Sequence, residues 1–367
     1  MNSWQCRTLL GVAALAAPFV LASPAPASSG PADRAGAGGA GTVAAAEAVP
    51  NDDPSFLQVY DANVENLPTT TESCPGDWHD LMYYMRLQEY RPDIYLVQQI
   101  SNRAQLDLLL TRMEEHFGES YAGVLAENNP ADYDNGCAGK VKQTNGVIWR
   151  TDRLSLKTSA SPDNRWQAQR EYPAGSEKCV NNDQPRTKGV KALLLDKRSG
   201  KTVTAASFHW PTQDHGGTYC NVSNAGELSN ELTEDGYGVA DLFVAGGDTN
   251  HSSSSTNGQD NWTTWYKATN GDLGGEHRFR DAVYAGCADA GGSIPDCLAD
   301  KWTLHTTGPR RVDFLLARNP GGAPPRTSHP VVPTFDEGDA AGLELTGSDN
   351  REMDYSDHRA VGARIHY

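Results

Sequence analysis

Positive charge is scarce in this sequence. Its 31 lysines and arginines face 47 aspartates and glutamates, a formal net charge of −16 over 367 residues. A uniformly basic surface that would hold long nucleic acids by charge alone is therefore excluded. A local positive cleft is compatible with this balance, as is a bound divalent cation whose charge the composition does not count. The seven cysteines include no C-x-x-C spacing, which argues against structural zinc. Beyond residue 22 no apolar run approaches the roughly 20 residues that span a bilayer. Internal repeats are absent. An ordinary charged fraction, 21%, beside 38% hydrophobic residues excludes wholesale disorder and provides for a sizeable core.

What is present begins with "MNSWQCRTLLGVAALAAPFVLASPAPASSG". Arg7 precedes an apolar run over 9–22, and small residues and prolines follow. This is the pattern of a secretory signal cleaved near residues 25–27; the run is short for a membrane anchor. Cys6 lies ahead of the run, where a lipoprotein cysteine would not be. The predicted organisation is a signal peptide over 1–27, a flexible Ala/Gly/Pro linker over 28–50 and one domain over 51–367, secreted and extracellular. Six cysteines remain without Cys6, an even number that suggests disulfides in an exported chain. Cys287 and Cys297 flank a Gly-rich loop and are the expected pair; Cys74, Cys137, Cys179 and Cys220 are left without assigned partners.

Apolar periodicity predicts strands over 56–62, 94–98, 146–150, 192–195, 202–208, 242–245, 312–316 and 360–365. Helices are predicted over 78–90 and 103–116. The second carries Leu106, Leu109, Leu110 and Met113 at helical spacing, with Asn102 as its cap; Asp77 is placed to cap the first. Many strands and few helices in one long domain predict two sheets packed face to face with helices outside.

Polar residues gather where these strands end. Asn63 follows the first, and Gln98 and Gln99 close the second. His209 ends "VTAASFH", and Asp248 and Asn250 end "LFVAGGDTN". Asp313 sits in "RRVDFLL", and Asp357 and His358 precede the last strand in "SDHRAV". Strand ends on one edge of a sandwich converge, so one cleft could collect carboxylates, carboxamides and histidines together. The double glycine before Asp248 reads as a tight turn that lets a phosphate approach, with Asp248 and Asn250 pointing into the cleft on one side. His251 reads as a loop residue.

In this order the segments resemble the endonuclease/exonuclease/phosphatase family, of deoxyribonuclease I-like fold. "NVENL" looks like its first motif, "DIYLVQQI" its D-I-x-x-L-Q-E-V, "GGDTN" its GDFN and "SDHRAV" its SDHxPV, and the resemblance spans residues 56–367. It implies an α/β (α+β) four-layer sandwich of two mixed sheets with outer helices, and metal-assisted phosphodiester hydrolysis. Carried over by motif, His358 is the base or water-orienting group with Asp313 as its partner. Asp248 and Asn250 orient the nucleophile or contact the phosphate. His209 donates to a phosphate oxygen or protonates the leaving group. Asn63, Gln99 and Asp357 fall at the metal, and Arg186 and Asn63 at the phosphate. The implied cofactor is Mg²⁺, with Mn²⁺ or Ca²⁺ as alternatives, since oxygen donors suit hard cations. One position departs from the pattern: Gln99 stands where the family has its metal-binding glutamate, which predicts weaker metal affinity. Either the enzyme works with that weaker site, or Glu65 substitutes, or catalysis is lost and binding kept.

The expected function is thus a secreted, metal-dependent nuclease acting on extracellular nucleic acid as a monomer. Two alternatives stand beside it. One is a sphingomyelinase-like phospholipid phosphodiesterase, for which Trp262, Trp265 and Tyr266 would meet a membrane, unless they stack on bases or pack in the core. The other is a non-catalytic binding protein, motivated by Gln99.

Overall fold

Two long strands are buried on both faces. All eight residues of the first, β1 (Phe56–Asn63), are buried, as are all eight of β10 (Thr202–His209). A strand with two covered faces belongs to a sheet with a layer on each side. The computed structural model describes residues 48–64, 78–132, 142–157, 163–171, 178–181, 184–251, 277–299, 301–304, 310–332, 356 and 358–367. The expected signal peptide, nearly all of the linker, Asp77, Cys74, Cys137, Glu65, the tryptophans 262 and 265, Tyr266 and Asp357 lie outside them. Within them, no helix is long and apolar enough to cross a membrane.

Two large sheets form. The first has the order β14 (Thr327–Val331), β15 (Val361–His366), β1, β2 (Ile94–Ile100), β4 (Thr144–Arg150), β3 (Tyr121–Leu125). The second runs β12 (Arg280–Asp281), β13 (Asp313–Arg318), β11 (Leu242–Asp248), β10, β9 (Lys188–Asp196), β5 (Leu154–Leu156), with β6 (Arg165–Gln167) also on β9. Both are mixed: β1 is parallel to β2 but antiparallel to β15, and β10 is parallel to β11 but antiparallel to β9. A small ribbon pairs β7 (Gln169–Glu171) with β8 (Cys179–Asn181).

Strand alternation then sorts side chains into three cores. Leu57, Val59, Leu96, Val203, Val244 and Leu315 fill the space between the sheets. Tyr60, Ala62 and Val97, one residue out of step, face α1 (Trp78–Arg86) and α2 (Arg103–Phe117). Phe208, Phe243, Ala245 and Phe314 face α3 (Gln213–Glu231) through Ala225 and Leu228. The result is the expected four-layer α/β sandwich. Asn102 caps α2 as predicted, its Oδ1 accepting from the Gln105 N–H at 3.0 Å. The first helix stops at Arg86 rather than at residue 90. The third was not foreseen: its sequence, QDHGGTYCNVSNAGELSNE, is rich in residues of low helix propensity. Packing on the sheet holds it, as does a disulfide from Cys220 to Cys179. Closing that long loop stabilises by about 4 kcal/mol on chain-entropy grounds. Cys287 in α4 (Ala282–Asp289) pairs with Cys297 in α5 (Ile294–Leu298), as expected.

The end of the sheets remote from the polar strand ends is closed by buried ions. Arg150 and Arg153 reach Asp93 at 3.0 and 3.4 Å, and Arg153 also reaches Asp196 at 3.1 Å. Arg153 donates as well to the Asn51 carbonyl at 2.9 Å, fastening the segment that leads into β1. Asp93, the first residue of "DIYLVQQI", is thus a structural anchor at the start of its strand. The segment before residue 51 is also attached: the Ala48 N–H donates to the Arg86 carbonyl at 3.0 Å.

Candidate active site

Cross-strand register brings the polar residues together. Asn63 pairs with Gln98, His209 with Asp248, and Asp248 with Asp313. His358 enters from the segment before β15, where its N–H donates to Ser356 Oγ at 3.1 Å. Asn63, His209, Asp248, Asp313 and His358 are all buried. The strands were expected to end near residues 62, 208 and 245. They continue to Asn63, His209 and Asp248, because the polar residues still pair in register.

The centre of the cluster is an imidazole–carboxylate pair. His358 Nδ1 lies 2.8 Å from Asp313 Oδ2. With the carboxylate accepting, Nδ1 carries the proton and the Nε2 lone pair faces the cleft. There Nε2 stands 3.7 Å from Asp248 Oδ2 and 3.5 Å from Asn63 Nδ2. Asn63 Nδ2 also donates to Asp248 Oδ2 at 3.1 Å, and His209 Nε2 lies 3.5 Å from the same oxygen. Three side chains, His358, Asn63 and His209, therefore converge on one carboxylate oxygen of Asp248.

Burial dominates the electrostatics. It pushes the Asp248 carboxyl up to about 7; neighbouring Asp313 adds to the rise, while His358, the Asn250 N–H and Asn63 oppose it. It holds His209 well below the usual imidazole range, with the charges of Arg186 and His358 acting in the same direction. His209 is therefore neutral at pH 7, a hydrogen-bond donor rather than a ready acid. His251 is buried too, and burial lowers it to about 4.

Other expected residues sit differently. Gly246 and Gly247 form no turn; both lie inside β11. A Cβ on Gly247 would come 2.0 Å from the Phe208 carbonyl oxygen, and one on Gly246 2.6 Å from Asp61 Oδ1 across the sandwich. The glycines let neighbouring chains close up. The turn comes at Asn250, whose φ of 53° is left-handed. Its side chain leaves the cleft and donates to the Trp210 carbonyl at 2.7 Å, while its N–H donates to Asp248 Oδ1 at 2.6 Å. Alternation failed as a guide because the strand ends at Asp248. Asn250 aims Asp248 from behind.

Gln99 also breaks the alternation. Its φ is 59° and the β2–β4 register shifts there. Its side-chain oxygen accepts from Gln143 Nε2, so its one neutral oxygen is engaged. Arg186 lies in a helical turn at Pro185–Thr187, half-buried, its Nε 3.4 Å from Gln184 Oε1. Its charge acts on His209 in the same direction as burial.

Asp248, Asp313 and His358 each offer one ligand atom within 4.8 Å of the others. Asp313 Oδ1 is buried with no hydrogen-bond partner. Orphaned carboxylate oxygen, a second carboxylate and a carboxamide make a donor set that fits a hard divalent cation.

Two buried polar groups escaped the sequence reading. Asp61, fully buried, accepts at Oδ1 from Gln98 Nε2 at 2.8 Å, and Ser207 Oγ lies 3.0 Å from the same amide nitrogen. The signal was available: on the inward face of "FLQVYDAN" a charged residue precedes Asn63 by two.

No protein-family model matches the chain, and no curated protein matches it. Solved structures do. An endonuclease/exonuclease/phosphatase protein from Bacteroides vulgatus is similar over 85% of this chain and 98% of its own, at 16% identity and a TM-score of 0.52. D. rerio TDP2 complexed with single-strand DNA product is similar over 85% and 100%, at 14% identity and a TM-score of 0.51. A mannosyl-6-phosphatase from Bacteroides thetaiotaomicron is similar over 85% and 100%, at 15% identity and a TM-score of 0.50. At these identities the likeness is one of fold.

Proposed function

We propose that this chain, which has the deoxyribonuclease I-like fold of the endonuclease/exonuclease/phosphatase proteins, is a secreted, divalent-metal-dependent phosphodiesterase acting on nucleic acid. The observation that carries the reading is the buried Asp313–His358 pair, whose imidazole turns its second nitrogen toward Asp248 and Asn63. Hydrolysis needs a group that takes a proton from water, and a carboxylate-held imidazole does so at neutral pH. The Asp313 carboxylate fixes the tautomer and stabilises the imidazolium that forms.

The remaining residues have roles that follow from charge and position. Neutral His209 donates an N–H to a phosphate oxygen. Asp248, held by the Asn250 N–H and the Asn63 amide, orients the attacking water in front of His358 Nε2. Arg186 contributes positive charge beside the phosphate. Asn63, Asp248 and Asp313 would hold the cation, with Asp357 as a further ligand; when bound, it neutralises phosphate charge. The TDP2 complex with a DNA product supports nucleic acid as the substrate class on this fold. Two disulfides support an oxidising, extracellular setting. Gln99, already engaged by Gln143, supports a second reading, a binding protein without catalysis.

Plasmid cleavage by the mature chain with Mg²⁺, Mn²⁺, Ca²⁺ or EDTA separates the two. Cleavage should require the metal and fall by about 10²–10⁴ in His358→Ala, the usual worth of a general base. Metal-independent cleavage, or cleavage unchanged in His358→Ala, would refute the mechanism. Inactivity toward DNA and RNA, with sphingomyelin hydrolysed, would move the substrate to lipid. Inactivity cured by Gln99→Glu would establish the binding protein.

A further inference from the structure

The end of the second sheet remote from the candidate site carries a buried cation that no acid matches. Arg318 is the last residue of β13, about 17 Å along the strand from Asp313. It is 9% exposed. Its guanidinium lies 4.8 Å from the Phe279 ring centroid and 5.4 Å from that of Phe243. Nη1 donates to Ser229 Oγ at 2.7 Å and to the His277 carbonyl at 3.0 Å; Nη2 donates to the Ser229 carbonyl at 3.2 Å. All three acceptors are neutral. Among the described residues, Nε has no hydrogen-bond partner and Nη2 has a second N–H to give.

Three other buried arginines each face an acid: Arg150 has Asp93 at 3.0 Å, Arg153 has Asp196 at 3.1 Å and Arg311 has Asp281 at 2.7 Å. Arg318 instead opens on a surface pocket of about 460 Å³, a volume in the range of small-molecule sites. Ser229 and Asn230 of α3, His277 and Arg278 ahead of β12, and the turn over 320–322 line it. Among the described lining residues none is acidic. The last turn of α3 offers only the partial negative charge of its carbonyls. Arg278 is built into the same wall. Its φ is 55°, left-handed for a residue with a long side chain. A Cβ on residue 322 would stand 2.6 Å from its Cδ, so Gly322 clears the place for its stem. Ser229 Oγ, accepting from Arg318, has its own proton to donate.

We propose that this pocket binds a phosphate dianion, held by the guanidinium groups of Arg318 and Arg278 and by the Ser229 hydroxyl. A guanidinium presents its N–H groups in a fixed fork that matches phosphate oxygens. Two such cations suit a dianion better than a singly charged carboxylate. The source is either inorganic phosphate or the phosphoryl end of a nucleotide. The inference is independent of the proposed catalysis, since pocket and candidate active site lie at opposite ends of β13.

Calorimetry on the full chain tests this, with orthophosphate and AMP as probes, at low salt and in EDTA to keep divalent ions from the candidate active site. Both probes should bind. Arg278→Ala, a change at an exposed side chain, should weaken them about tenfold or more, the worth of a charge-assisted hydrogen bond. Arg318→Gln should abolish measurable binding; if that variant does not fold, Arg278→Ala decides alone. Arg186→Ala, at the other end of the sheet, should leave both affinities within about twofold. Equal affinities for the two probes would assign the phosphate alone, and tighter AMP would extend the site to a nucleotide. A natural protein that binds neither probe at millimolar concentration would overturn the proposal, as would unchanged affinity in Arg278→Ala. Binding lost in Arg186→Ala but kept in Arg278→Ala would put the anion at the candidate active site and overturn it too. Acetate bound as tightly as phosphate would refute the preference for a dianion.

Discussion

Asp248 joins the chemistry of the site to the stability of the fold. Its carboxyl is pushed up to about 7, chiefly by burial, against an ordinary value near 3.9. The native state therefore holds this proton more tightly than the unfolded chain does. The stabilisation is complete below about pH 4 and is lost as pH rises from there through about 7. Asp61, also raised, acts in the same direction; His209, held low, acts oppositely and removes stability as pH falls below about 6.5. Because these overlap, the useful comparison is with Asp248→Asn. In EDTA the natural protein should lose about 5 °C more than the variant between pH 5 and pH 8. Parallel melting curves across that range would contradict the assignment, and saturating Mn²⁺ should abolish the difference because the ion favours the ionised form. The sequence disclosed Asp248, His209 and Asn63 because each ends a recognisable apolar run, and Asp313 and His358 because each stands just before one. It misplaced Asn250, whose left-handed backbone alternation does not anticipate. It hid Asp61, because one acid inside a strand signals a polar face until the partner sheet is known to cover it.

The element that positions most of this is β11, and its glycines are a packing device. Gly247 lies against β10 at the level of Phe208, and the atom a Cβ would meet is a backbone carbonyl oxygen, at 2.0 Å. A side chain could rotate away from such a contact; a carbonyl fixed in a strand of a seven-stranded sheet cannot. Gly247→Ala should force β10 and β11 apart at the point where His209 and Asp248 face each other. The expected cost is about 3 kcal/mol or more, the upper range for overpacking. His209 and Asp248 would lose their register, so cleavage should fall further than the loss of folded protein explains. A melting temperature within a degree of the natural one would show the strands to be more tolerant than this geometry allows. The long central strands were legible because their apolar runs are bounded by turns; the short β5, β6, β7, β8 and β12, and also β3 and β14, were not. The helix α3 was not: its 19 residues include three glycines and three asparagines, and it forms because the outer face of the second sheet must be covered.

At the scale of the whole molecule, an acidic protein is proposed to act on a polyanion. With a net charge of −16, long-range forces oppose the encounter, and only local features can reverse them. Those of the cleft are the proposed cation site and Arg186, beside a neutral His209. Binding should therefore engage few phosphates directly. Each phosphate neutralised by protein contributes about −0.9 to the slope of log K against log salt on duplex DNA. Two or three such contacts predict a slope of about −2 to −3 in Mg²⁺, far shallower than the roughly −10 of a strongly basic binder. Removing the divalent ion should then weaken binding more than a tenfold rise in monovalent salt does, because it takes away the site's principal positive charge while the repulsion remains. Fluorescence anisotropy with the catalytically impaired His358→Ala chain and a short duplex measures both. Binding that survives EDTA unchanged, or a slope steeper than about −6, would require a local basic surface of several lysines and arginines, and would place DNA recognition elsewhere than at this cleft.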